Sequence, residues 1–384
     1  ASLDPKISQL QKRREGLLKQ VKDQQQLTTL VMVEQEKPRM NRIFNRGDFK
    51  DPTEKVEART PKILHEFSAG LPPNRLGLAR WLTSPENPLT ARVTVNRWWA
   101  EFFGSGIVTT MEDFGTQGEP PSHRLLLDYL ARELIHHGWS RKQLHKLIVM
   151  SATYRQATRV DQKAWQRDPT NKLLARGPRF RLSAETIRDN ALVVSGLMTH
   201  KLGGPPVYPP QPEGIWRHVG RNAPKFVTSV GPDRFRRGIY VVWRRSAPYP
   251  SFTNFDAPDR AVCVVSRPRT NTPLQALTLL NDPAYVEMAQ AFARRIVNDD
   301  VQFNDRQRAE YAFQLAVSRK PEADELEPLL QIVKSQRQRL SKDKKAARQL
   351  VPEEYGDSKN LVELATWFYV ANILLNLDET ITKG

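Results

Sequence analysis

The chain is poor in cysteine and in long apolar runs. Its 384 residues contain one cysteine, Cys263. This count excludes an internal disulfide, a cysteine-based zinc knuckle and the paired cysteines that hold a c-type haem covalently. No apolar run approaches the length of a bilayer span. The polar N-terminus lacks a signal-peptide core, so the chain is either cytosolic or a processed part of an exported protein.

Familiar catalytic and metal-binding motifs are also missing. The seven histidines form no HExxH or comparable metal spacing, and the sequence has no GxSxG, Walker loop or GxGxxG. No metal site is therefore predicted. The sequence leaves open whether the chain is an enzyme.

Positive charge is abundant. Lys and Arg number 59 against 42 acidic residues, which gives a net charge of +17. Such a field favours polyanions, including nucleic acid, anionic lipid, acidic polysaccharide or an acidic protein partner. The charge is spread along the chain, and this distribution is more typical of a solvated surface than of a dedicated groove.

The periodicity predicts a mainly α fold with a few short β-strands and long, ordered loops rich in Pro and Gly. A polar helix is predicted over 7–26, strands over 28–33, 41–44 and 238–246, and loop over 52–73. We expect one N-terminal polar helix at 1–27 and one helical domain at 28–384. The domain includes a loop and strand excursion at 203–262.

Local capping signals predict where the helices begin and end. Predicted starts are Asn87-Pro88, Ser122, Ser140, Ser183, Thr272 and Asp282. Gly104, Gly138 and the Gly203-Gly204 pair are the predicted stops.

The densest group of polar residues lies between Arg267 and Pro283. Thr272 to Gln275 reads as a full capping box, and Asp282-Pro283 as a second helix start. Capping does not explain four further residues of this segment, which are Arg267, Arg269, Asn271 and Asn281. Arginines beside helix N-termini interact unfavourably with the helix dipole, so their presence implies carboxylate partners or a bound anion. An internal ion-pair network is favoured over a site, because buried charge needs a partner.

Glu185, Arg188 and Asp189 share one face of a predicted helix, at spacings of three and four residues. They are expected to hold Arg267 or Arg269 across a helix interface. The two carboxylates also suit acid–base chemistry or cation binding. Without a partner motif, the structural interpretation is favoured.

Two weaker candidates complete the set. Arg92, Asn96 and Trp99 share a helical face and suit stacking on sugars or bases, although packing of Trp in a core under Arg stems is the commoner arrangement. Cys263 has no histidine near it in sequence, so a small buried hydrophobe is favoured over a nucleophile.

The order of motifs along most of the chain resembles one family. It is similar to the conserved C-terminal domain of unknown function in large secreted planctomycete proteins that also carry a cytochrome-c-like domain. The blocks that carry the resemblance are RGDF (46–49), NRLGLARWLTSPENPLTARVTVNRWW (74–99), MEDFGTQGEPPSH (111–123), the runs at 126–156 and 168–198, FRRGIYVVWRR (235–245), FDAPDRAVCVVSRPRTNTPLQALTLLNDP (255–283) and LLNLDE (374–379).

The resemblance implies an exported protein, periplasmic or extracellular, with haem-bearing and other domains upstream of this segment or on a companion chain. No cofactor is expected on this chain itself. The resemblance also implies a link to polysaccharide breakdown, and it offers no catalytic residues to carry over.

Two functions are expected on these grounds. The first is a module that contributes a substrate pocket or scaffold to a redox system tied to polysaccharide metabolism, with the 267–282 segment lining the pocket. The alternative is a non-catalytic module that binds an anionic polysaccharide or acidic protein through its basic surface. Nucleic acid is disfavoured because no helix-turn-helix, RRM or zinc signature is present.

Overall fold

The computed structural model describes residues 5–23, 29–37, 39–216, 225–299, 302–355 and 360–384. It confirms the mainly α class, since half of it is helical and the described residues hold only two small two-stranded sheets. None of the described helices is long and apolar enough to cross a membrane. The helices are α1 (Pro5–Asp23), α2 (Arg75–Leu82), α3 (Thr90–Phe103), α4 (Arg124–His136), α5 (Arg141–Val149), α6 (Gln162–Arg167), α7 (Ala184–Val194), α8 (Pro250–Asn254), α9 (Pro273–Asn281), α10 (Pro283–Asn298), α11 (Asp305–Val317), α12 (Ala323–Lys342), α13 (Lys344–Leu350) and α14 (Leu361–Leu375).

The chain forms two compact units, an N-terminal unit of residues 1–88 and a C-terminal unit of residues 89–384. Helix α1 confirms the predicted N-terminal polar helix, whose last predicted residues, 24–26, lie outside the described part. The predicted domain boundary after residue 27 stays a prediction.

The N-terminal unit contains one antiparallel hairpin. Strand β1 (Asn41–Phe44) pairs with β2 (Pro52–Val56), with Asn41 opposite Val56. The loop predicted from 52 to 73 therefore begins as a strand. The strand predicted at 28–33 is wrong, because residues 29–33 have no regular structure and residue 28 is not described. Strand β1 finds its partner further along the chain, after a turn in which Arg46 and Gly47 have positive φ.

Helix α2 supplies the largest buried side chain of the N-terminal unit. Asn74 caps this helix by accepting the N–H of Gly77. Trp81 stacks on His65 with ring centroids 4.6 Å apart, and its indole N–H donates to the His65 carbonyl at 3.0 Å. Local contacts thus hold the two ends of the 65–81 segment together.

The main core of the C-terminal unit lies between α10 and α14. Phe292, Trp367 and Val370 are completely buried there. A smaller apolar cluster joins α3, α4 and α5 around Val95 and Leu134. Burial of this apolar surface is the principal stabilising contribution to a helical unit of this kind.

Several predicted helix ends are confirmed. The side chains of Ser140, Ser183, Thr272 and Asp282 each accept a backbone N–H of the first helical turn. The left-handed Gly104 ends α3 and Gly138 follows α4, as predicted.

Three helix predictions need correction. Helix α3 begins at Thr90, two residues beyond Pro88, and α4 begins at Arg124, two residues beyond Ser122. The predicted Thr272 capping box is only half formed, because the Gln275 amide donates to the Thr270 hydroxyl at 3.1 Å.

The end of α7 and the strand after residue 237 also differ from prediction. Helix α7 ends at Val194, and the left-handed Gly196 follows it well before Gly203. The strand predicted at 238–246 is wrong, because residues Gly238–Tyr240 form a 3-10 turn and Val241 makes one isolated bridge to Val207. A single partner residue is too little to continue a ladder.

In its described parts, 203–216 and 225–262, the 203–262 excursion consists of loops with two 3-10 turns and the short helix α8. The side chain of Arg236 is completely buried. Its guanidinium donates to the carbonyls of Lys201, Gly203 and Pro205 and lies over the Tyr240 ring. One arginine thereby satisfies three loop carbonyls that would otherwise need other partners.

A second small sheet was not predicted. Strand β3 (Phe180–Arg181) pairs with β4 (Thr382–Lys383) just before α7 begins. This pairing fixes the position of Arg181 beside the first turn of α7. Two-residue strands carry no periodicity, so the sequence pattern could not indicate them.

Candidate functional site

A cleft of about 710 Å³ opens at the start of α7 in the C-terminal unit. Its walls come from the end of α3, the first turns of α7, and the segments 237–239, 255–260 and 264–269. The volume lies within the range of known ligand pockets. Its lining holds five arginines and four carboxylates, which are Arg181, Arg237, Arg260, Arg267, Arg269, Glu101, Glu185, Asp189 and Asp256.

The first turn of α7 presents one ion pair to the cleft. Ser183 caps the helix, which places Glu185 in the first turn, where a carboxylate is favoured by the helix dipole. The guanidinium of Arg267 donates to Glu185 at 2.8 Å. Of the helical face predicted to hold Arg267 or Arg269, Glu185 alone binds Arg267, which lies in a loop and not on a facing helix.

One turn later, Asp189 forms a second ion pair. Its carboxylate accepts the backbone N–H of Gly238 at 2.6 Å and the Nε–H of Arg237 at 3.1 Å. Gly238 lies so close to Glu185 that an added Cβ would meet its backbone at 3.0 Å. Glycine at this position therefore allows the 237–239 segment to lie against α7.

Asp256 organises the opposite wall. Its carboxylate accepts both the backbone N–H and the hydroxyl of Thr270, at 2.7 and 2.8 Å. Gln275 donates to the same hydroxyl and is 2% exposed. Its side-chain carbonyl has no hydrogen-bond partner among the described residues. Asp256 and Arg260 both have positive φ, a conformation uncommon for residues with a side chain and found preferentially near functional sites.

Arg269 has no carboxylate within ion-pair distance in the described part of the chain. It donates to the carbonyl of Gly104 at 3.2 Å, and its guanidinium lies 4.3 Å from the centre of the Phe180 ring. Burial lowers the pKa of Arg269, and the charge of Glu101 acts in the other direction. A partly desolvated arginine with one carbonyl partner and one ring face retains donors for an anionic ligand.

Several predicted site residues lie elsewhere. Arg188 is 2% exposed and is not part of the cleft wall. Its guanidinium donates to the Arg234 carbonyl. Asn281 donates to the Leu277 carbonyl within its own helix, and Asn271 is exposed outside the cleft.

Cys263 corrects a second expectation. It was expected to be a small buried hydrophobe, but its thiol is exposed. Its neighbours Val264 and Val265 line the cleft, whereas Cys263 does not.

The predicted ligand-stacking face of α3 does not exist as a surface. Trp99 is 5% exposed and stacks on Phe103. Asn96 is completely buried, donating to the Val108 carbonyl and accepting the Val108 N–H. Arg92 forms an ion pair with Asp128 at 2.6 Å. These residues hold the α3 region together, which is the packing interpretation of the pattern.

Sequence reasoning did not assign several cleft residues to a site, namely Arg181, Arg237, Arg260, Glu101 and Asp256. Arg181 precedes the Ser183 cap, so the argument that singled out Arg267 and Arg269 beside a helix start applies equally to it. Glu101 carried no such signal, because it reaches the cleft only through the packing of α3.

No group of three His, Cys, Asp or Glu side chains within the described residues has a geometry that could hold a metal ion.

A protein-family model covers residues 74–333, which is most of the chain and all of the cleft lining. No curated protein and no solved structure matches the chain. The chain belongs to the PSD1 family, described as a protein of unknown function (DUF1553). The resemblance to a conserved domain of unknown function is thereby confirmed.

Proposed function

We propose that this chain is the ligand-binding C-terminal module of an exported, haem-linked protein and that its cleft binds an acidic saccharide for a redox system acting on polysaccharides. The cleft itself carries the proposal: about 710 Å³, lined by five arginines and four carboxylates with apolar surface between them.

The mixture of charges argues for a hydroxyl-rich anion. Arg269 offers donors to a carboxylate or sulfate. The carboxylates of Glu101 and Asp256 are acceptors for sugar hydroxyls. A polyphosphate carries more negative charge per unit than an acidic sugar, so the four acidic side chains would repel it more strongly.

Apolar side chains complete the match. Ile239 is 71% exposed and Val264 is 44% exposed, and both line the cleft. The face of a sugar ring is apolar enough to pack on such surfaces, whereas a small inorganic anion would leave them in water. This combination favours a saccharide over a simple anion.

The haem belongs to another segment or chain in this proposal. A covalently bound c-type haem needs two cysteine thiols, and the chain has one, Cys263. The residues of this chain therefore do not fit a covalently bound c-type haem. In this proposal the chain contributes ligand binding.

The proposal predicts selective binding of acidic oligosaccharides. We expect isothermal titration calorimetry to show binding of an oligogalacturonate and no binding of a neutral maltooligosaccharide of the same length. Arg269→Gln should weaken the acidic ligand about tenfold or more, because a charge-assisted hydrogen bond contributes roughly 1.5–3 kcal/mol.

Arg132→Gln is the matched control, since Arg132 is exposed on α4 outside the cleft and the variant loses the same charge. An equal loss in both variants, abolished by moderate salt, would contradict the cleft and support the alternative function. That alternative is non-catalytic binding of an anionic polysaccharide or acidic partner through the whole surface, and the net charge of +17 favours it.

A further inference from the structure

A second cleft of about 690 Å³ lies beside the first in the C-terminal unit. Its walls come from α7, the end of α11, the residues after α7 and the segment 379–384. Val193 and His200 are among its exposed lining residues. Sequence patterns gave no sign of it, because it is assembled from segments that are distant along the chain.

The two clefts share part of their lining. Leu182, Thr186, Asp189 and Arg237 border both. They lie at the start of α7 and on the segment packed against it, so the clefts adjoin there and are separated by the Asp189–Arg237 pair.

In the Asp189–Arg237 pair, the carboxylate is held in place and the guanidinium is exposed. Asp189 is held by the backbone N–H of Gly238. The side chain of Arg237 is 56% exposed and uses its Nε–H for Asp189. A guanidinium in this position leaves terminal N–H groups for a ligand that passes from one cleft to the other.

The clefts differ in chemistry. Apart from the shared pair, the charged groups of the second cleft are engaged: Glu379 accepts from Arg319, and Lys383 donates to the Phe102 carbonyl. Hydroxyl and amide side chains, including Ser318, Thr382 and Asn190, make up much of its remaining polar lining. Neutral donors and acceptors suit sugar hydroxyls without requiring a charge.

We infer that the two clefts form one groove that binds an extended acidic polysaccharide, with an acidic sugar in the first cleft and the adjoining sugars of the same chain in the second. This inference rests on the proposed function. It deepens that function by making the ligand a polymer and by assigning the second cleft as its additional subsite.

Chain length tests the inference. Oligogalacturonates of increasing length, from the dimer upward, are titrated into the protein by calorimetry. We expect the affinity to rise by about tenfold or more and then to level off once both clefts are filled, because the second cleft adds contacts to a ligand already held in place.

Val193→Trp separates this gain from the statistical advantage of a longer ligand. Val193 is 52% exposed on α7, so a larger side chain fills the second cleft without entering the core. The gain with length should disappear, while the dimer binds as in the wild type. Val230→Trp is the matched control, because Val230 is exposed and borders neither cleft. His200→Trp blocks the same cleft from another segment, should circular dichroism show that Val193→Trp is misfolded.

The outcomes separate the two proposals. Length-independent affinity, or a length gain that survives both blocking variants, would overturn the groove, while loss of all binding in Arg269→Gln would still support the first cleft. Failure of every acidic oligosaccharide to bind the wild type would overturn the proposed function together with the groove.

Discussion

Residues 29–59 of the N-terminal unit and helix α14 of the C-terminal unit show opposite relations between regular structure and burial. Every described residue between 29 and 59 is exposed, although the segment contains the β1–β2 hairpin. In α14, eleven of fifteen residues are buried. The hairpin is therefore held by backbone pairing and by exposed side-chain hydrogen bonds such as that from Asn45 to Asp51, whereas α14 is held by the buried side chains around it. A lone two-stranded hairpin is marginally stable in water, so the large contributions to stability should lie in the C-terminal unit.

The largest expected effect is the loss of Trp367 from α14. This side chain is completely buried, so Trp367→Ala should lower the free energy of unfolding by about 3–5 kcal/mol through lost apolar contacts and a cavity. Urea unfolding followed by circular dichroism measures it. The paired variant, Phe49→Ala in the hairpin region, removes a side chain that is 73% exposed and should change stability by less than about 0.5 kcal/mol. Similar losses of unfolding free energy in both variants would contradict the expected difference in stability between the two regions.

An intermediate effect is expected for a buried polar residue. Asn96→Ala leaves both the N–H and the carbonyl of Val108 without their side-chain partner, which should cost about 1–3 kcal/mol because buried polar groups need hydrogen bonds. Asn45→Ala is its counterpart in the hairpin region, where the lost bond to Asp51 is exposed to water. Urea titrations of both variants should show a loss only for Asn96. No loss there would mean that water replaces the side chain and that burial is not the deciding property.

The smallest effect concerns pH. Hydrogen bonds from Arg319 lower the pKa of Glu325 from 4.5 to about 2. A carboxyl whose pKa is depressed by folding contributes stability that is complete above its unfolded pKa and is lost as the pH falls between those two values. Wild type should therefore lose more stability than Glu325→Gln between about pH 6 and about pH 3, as measured by urea titrations at both values.

Glu57→Gln supplies the comparison in the N-terminal unit, where Glu57 pairs with Arg59 and both side chains are largely exposed. Exposed pairs contribute little, so this variant should follow the wild type at both pH values. A pH response of Glu57→Gln equal to that of Glu325→Gln would show that exposure does not separate the two ion pairs.

Features determined by neighbouring residues could be predicted from the sequence. The caps at Ser140, Ser183, Thr272 and Asp282 depend on a side chain and the next three residues, and all four are present. The Glu185–Arg267 pair was predictable only in part, because helical spacing places Glu185 on one face of α7 but does not indicate whether Arg267 or Arg269 reaches it from 82 or more residues away.

Features determined by distant segments could not be predicted. The apolar run after Gly238 is typical of a strand, but its partner Val207 offers only one bridge. Arg181 reaches the cleft because a two-residue strand pairs with Thr382–Lys383, which lies two hundred residues further along the chain. The exposure of Cys263 depends on how its loop lies across the cleft, and no local pattern encodes that.

The exposed thiol of Cys263 has a practical consequence. As the only cysteine of the chain, it can be coupled to a maleimide fluorophore without mutagenesis or a competing labelling position. The next residue, Val264, lines the arginine-rich cleft, so the attached dye would lie one residue from the proposed ligand. The native sequence thus carries its own attachment point for an optical titration of that cleft.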